Sequence, residues 1–127
     1  LAAAVCGLSP VTDPYRNLID YSSPYLKQEY GTDPDFWKVC SPWHRVVDGA
    51  TYPAFLLIGD CHDFKVPFLG QAARLAVRLE EANPNTSVLL VPRTGLHSPD
   101  EYSSDANEEM IDFLTFFDRE LRPPATD

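Results

Sequence analysis

Tyr52-Pro53-Ala54-Phe55-Leu56-Leu57-Ile58-Gly59 is the stretch that decides the fold. Its apolar run is unbroken, too short for a globular helix, and bounded by Pro53 and Gly59. A strand with one solvated face would alternate, so this one is buried on both sides. Upstream, Ala3 to Leu8 is a second such run, closed by Ser9-Pro10. Downstream, Thr86 to Val91 is a third, closed by Pro92. Between the last two, Leu69, Ala72, Ala73, Ala76 and Leu79 recur at helical spacing until Asn83-Pro84 stops them. A polar connection over 93–104 leads to a final helix, with Asp105 and Glu108 in capping-box positions. The apolar face expected for it is Ile111, Leu114, Phe117 and Leu121, widened by Phe113 and Phe116.

From Val11 to Val47 the chain is aromatic and rich in Pro: Asp13-Pro14-Tyr15, Ser23-Pro24-Tyr25, Asp33-Pro34, Ser41-Pro42. Pro after Ser or Asp suits the first helical turn, where its missing N–H costs nothing. Short helices are expected near 23–30, 34–40 and 42–47. The order is then β, small helices, β, α, β, α. That alternation implies an α/β fold with parallel strands and helices on both faces of the sheet. Three strands are few for a parallel sheet, whose central members need neighbours on each side. The expectation is therefore the C-terminal half of a larger sheet, with an N-terminal part preceding Leu1. One unit is expected over 1–121, followed by a frayed tail over 122–127.

Composition narrows the function. The 127 residues are 44% hydrophobic and 23% charged, enough apolar content for one core. The net charge of −9 argues against non-specific nucleic-acid binding, because a phosphate backbone recruits Lys and Arg. No apolar run approaches the roughly 18 residues needed to span a bilayer. Cys6, Cys40 and Cys61 are odd in number and scattered, which points to free thiols and a reducing, cytoplasmic setting.

Ligands of open α/β sheets bind beyond the carboxyl ends of the strands. The loops there are Asp60-Cys61-His62-Asp63-Phe64-Lys65-Val66-Pro67 and Arg93-Thr94-Gly95-Leu96-His97-Ser98. A right-handed crossover sets both at one rim, which brings Asp63 within hydrogen-bonding reach of His97. An acid that orients a histidine is two-thirds of a charge-relay triad. In hydrolases of this class the chain order is Ser, acid, His, and the last two stand here in that order. No G-x-S-x-G motif is present, so the nucleophile is expected upstream. Spacing alone leaves Asp63 and His97 open between a catalytic pair and a structural ion pair. His62 reads as a surface loop residue and His44 as a packing or capping one. A metal site from Asp60, His62, Asp63 and His97 lacks the spacing of known motifs, and no cofactor is expected.

Several segments in order resemble the prolyl oligopeptidase family of serine peptidases, α/β-hydrolases. Asp63-Phe64-Lys65-Val66-Pro67 is similar to the family's Asp-x-Arg-Val-Pro, which carries the triad acid. Ser9-Pro10-Val11-Thr12-Asp13, Glu29-Tyr30-Gly31, Ser41-Pro42-Trp43-His44-Arg45-Val46 and Gly95-Leu96-His97 stand where the family has related segments. The likeness runs over roughly residues 3–121. It implies that Asp63 is the acid, that His97 is the general base and that the substrate is a peptide. It also implies that Val11, Tyr30 and Val66 line the pocket for the residue before the cleaved bond. Lys65 replaces the Arg that holds a substrate carbonyl, keeping the charge but not the planar fork. Leu26 stands where proline-specific members have a Trp, which leaves a dipeptidyl- or acylaminoacyl-peptidase-like preference open. The rivals are an esterase or lipase of the same fold and a non-catalytic binding module. The isolated chain, without a nucleophile, is expected to be inactive.

Overall fold

The structure, a computed structural model, describes residues 2–21, 24–94 and 104–122. Three parallel strands, β1 (Ala4–Leu8), β2 (Ala54–Asp60) and β3 (Val88–Arg93), lie in the order β1-β2-β3. β2 is central. Ala4 pairs with Ala54 on one side, and Phe55 with Val88 on the other, the register running on to Asp60 and Arg93.

The unbroken apolar run of β2 follows from the cover on both of its faces. Leu57, with half-buried Phe55, packs on the helix α5 (Ala72–Ala82) through Ala72, Leu75, Ala76 and Leu79. Ala54, Leu56 and Ile58 point the other way, against Phe116 of the helix α6 (Ser104–Leu121) with Phe113 and Phe117 beside it. Alternate residues of one strand therefore build two cores. The α/β class read from the sequence is the one found.

The β1–β2 connection carries four short helices: α1 (Pro14–Tyr21), α2 (Pro24–Tyr30), α3 (Pro34–Cys40) and α4 (Pro42–Arg45). Each opens on a Pro. In α3 the Asp33 side chain caps the Asp35 N–H at 3.0 Å. Leu18, Leu26 and Trp37 form a third cluster there, joined by Val11, Tyr15 and Tyr30. α1 is a helix that the sequence reading passed over, although Asp13-Pro14 is the same start signal. Asp13 Oδ1 accepts the Arg16 N–H at 2.9 Å, as a helix cap does.

Other boundaries move for physical reasons. β3 runs two residues beyond Val91, and Pro92 lies inside it; a missing N–H is tolerated on an edge strand. Likewise β2 begins after Tyr52, whose hydroxyl accepts the Val47 N–H at 2.6 Å, and it extends through Asp60. The α4 turn ends at Arg45, short of 47. Leu69 precedes α5 and is 77% exposed; Leu75 and Ala82 are buried in the helix instead. Because α6 begins at Ser104, Asp105 lies within the helix, and Glu108 pairs with Arg93.

The α6 face also differs. Phe116 is buried and Phe113 and Phe117 are half-buried, whereas Ile111, Leu114 and Leu121 are 61%, 62% and 55% exposed. The helix is apolar on two sides, and the phenylalanines meet the sheet. No helix among the described residues is long and apolar enough to cross a membrane.

Candidate active site

Both loops singled out from the sequence leave the same edge of the sheet, because β2 and β3 are parallel and end in register at Asp60 and Arg93. Past that point the chains stay joined. Cys61 N–H donates to the Arg93 carbonyl at 2.8 Å, and His62 Nδ1 lies 2.9 Å from the Thr94 carbonyl. His62 is exposed, as expected of a surface residue, and it ties the two loops together. Gly59 fits beneath them because a Cβ there would lie 2.9 Å from Phe68 Cδ2.

Asp63 is 4% exposed. Its Oδ1 accepts the backbone N–H of Lys65 at 2.7 Å and of Val66 at 2.9 Å, an Asx turn that fixes the carboxylate. The Lys65 carbonyl accepts from Asn17 Nδ2 at 3.1 Å, so α1 buttresses the turn. Two backbone donors to an otherwise buried carboxylate offset much of its desolvation.

The residues named for a substrate pocket fall in two places. Val11 and Tyr30 pack on the same cluster of Leu18, Leu26 and Trp37. Leu26 is buried in that cluster, a core position. Burial pushes the Tyr30 phenol up, helped by Glu29 and Cys40. Val66 is buried on the acid turn beside half-buried Lys65. His97 lies outside the described residues.

His44 stacks edge-on to Tyr15 and Trp43, with Nδ1 3.7 Å from Asp13 Oδ1, which agrees with a packing role. Among the described residues no group of three or more His, Cys, Asp or Glu side chains is placed to hold a metal ion. The three cysteines are unpaired.

Two features went unread in the sequence. Arg93, at the end of β3, faces Glu108, Glu109 and Asp112 of α6 at 3.1, 3.8 and 2.8 Å, and so ties the strand end to the helix. Behind the acid turn lies a buried polar group around Asp13 and Gln71. The signal for the second was a glutamine within the mainly apolar span from Val66 to Leu79.

No family model and no curated protein matches the sequence. Solved structures do match. The acylaminoacyl peptidase of Pyrococcus horikoshii superposes with a TM-score of 0.79 at 18% identity, over 100% of this chain and 21% of that one. Esterase 2 of Thermogutta terrifontis matches in its apo form with a TM-score of 0.69 at 23% identity, over 99% of this chain and 45% of that one. The same esterase phosphoramylated by tabun gives 0.68 at 22%, over 99% and 44%. The fold is thus the α/β-hydrolase fold of these proteins. The chain spans less than half the length of the esterase and about a fifth of the peptidase.

Proposed function

We propose that this chain carries the acid and the base of a serine hydrolase of the oligopeptidase type, which cleaves short peptides through an acyl-enzyme. A Ser outside these 127 residues attacks the carbonyl, His97 takes and returns the proton, and Asp63 orients the imidazole. The observation that carries this reading is the Asp63 carboxylate. It is buried at the carboxyl edge, held through Oδ1 by two backbone amides, and bonded through its loop to the strand end that leads to His97. In this reading the Asp63 carboxylate receives the His97 Nδ1–H. Val11, Tyr30 and Val66 then border the pocket, and Lys65 offers its charge to a substrate carbonyl. The unpaired cysteines suit a reducing, cytoplasmic setting.

The esterase reading stands beside it, since 99% of this chain also matches an esterase. Peptide amides and p-nitrophenyl esters, assayed side by side on the longer protein, separate the two. The peptidase reading expects turnover of both and covalent labelling by a fluorophosphonate. Ester turnover alone makes it an esterase, and absence of labelling removes both.

A further inference from the structure

The least exposed polar side chains of the described residues lie behind the acid turn. Asp13 and Asn17 are 0% exposed and Gln71 is 1%. Burial of that degree costs free energy unless the polar atoms find partners. Gln71, at the entry to α5, accepts the Thr12 and Asp13 N–H groups on Oε1 at 2.9 and 2.7 Å, and its Nε2 donates to the Asp13 carbonyl at 3.1 Å. A carboxamide offers an acceptor and a donor in one plane, which matches this backbone segment on both counts. Arg74 Nη1, one turn further along α5, donates to Asp13 Oδ2 at 2.7 Å.

The network does not stop at that loop. Asn17 N–H donates to the same Asp13 carbonyl at 3.0 Å, and its side chain reaches Lys65, the middle of the acid turn. Lys65 N–H in turn donates to Asp63 Oδ1. Gln71 thus holds Thr12 and Asp13, and Asp13 is linked onward through Asn17 to Lys65 and Asp63. Val11 is the residue before this path starts and Val66 the residue after Lys65. Side chains that merely filled space would not need a second anchor so far away in sequence.

We propose that Gln71 and Asn17 are positioning residues that fasten the segment bearing Val11 to the turn bearing Asp63, so that pocket wall and acid keep one geometry. The catalytic meaning rests on the function proposed above; the mechanical coupling does not. Amide hydrogen exchange on the full chain tests it, with Gln71→Met and Asn17→Leu, which keep shape and remove hydrogen bonds. Gln71→Met is expected to speed exchange at Lys65 and Val66 about tenfold, although neither amide bonds to Gln71. Asn17→Leu is expected to do the same at Thr12 and Asp13, as loss of about one net hydrogen bond implies. Leu57 and Ile58 in β2 stay within about twofold, since their ladder bonds are untouched. If each variant loosens only its own partners, or if the β2 amides loosen with the rest, the proposal is overturned. Should Gln71→Met fail to fold, the Asn17→Leu arm decides. In the longer protein the same variants should raise KM more than they lower kcat. A longer protein without hydrolase activity would refute the role of Asp63 and leave the exchange result standing.

Discussion

α5 and α6 cover opposite faces of β2, yet they are held in different ways. α5 buries Ala72, Leu75, Ala76, Leu79 and Ala82 along one stripe, and small residues let it come close to Leu57. α6 buries Phe116 and half-buries Phe113 and Phe117, while Met110, Ile111, Leu114 and Leu121 face outward. At the end of β3 it is joined ionically as well, through Arg93. The acid turn thus leans on a packed helix, and the end of β3 is tied to α6 by charge. The first should respond to changes in volume and the second to salt and charge.

The largest effect is expected on the packed side. Leu79→Ala should lower unfolding free energy by about 2–5 kcal/mol in urea titration, because a cavity in a tight helix–sheet contact relaxes poorly. Leu114→Ala on α6 should change it by less than about 0.5 kcal/mol, as an exposed side chain does. Equal losses would erase the distinction between the helices. Gly59→Ala comes next, at about 1–3 kcal/mol, because the added methyl drives into Phe68 below the acid turn. A neutral result would mean that Phe68 moves aside without cost.

Arg93→Met should cost about 1–3 kcal/mol by leaving three carboxylates facing one another, two of them substantially exposed. Unlike the first two losses, this one should shrink as salt is raised from about 0.05 to 0.5 M. A salt-independent loss would show that Arg93 acts through its aliphatic stem. The smallest effect is chemical. Exposed Cys61 should alkylate first, and Cys6 slowly, because burial pushes its thiol up and lowers its thiolate fraction at neutral pH. Mass mapping with iodoacetamide checks the order.

The same contrast explains what the sequence revealed. Strands buried on both faces leave an uninterrupted apolar run, and α5 has a single apolar stripe, so β2 and α5 could be read directly. α6 carries two apolar faces, and periodicity cannot say which one meets the sheet; Phe113 and Phe116 won on size. α1 was missed because its stripe is little more than Leu18, while its cap, Asp13, was spelled out before Pro14. Asp63 was legible as a carboxylate of a strand-end loop. The roles of Asn17 and Gln71 were not, since their side chains meet backbone atoms tens of residues away, and Gln71 showed only as a polar residue in an apolar span.

The most direct test of the proposed function is kcat/KM for a peptide amide, wild type against Asp63→Asn, in a protein that joins this chain to the proposed nucleophile-bearing part. Asn keeps the shape and the Oδ1 acceptor but removes the charge that stabilises the imidazolium, so a fall of about 10³–10⁴-fold is expected with the fold intact. Turnover within about tenfold of wild type would show that Asp63 is a structural turn residue and that the charge relay lies elsewhere.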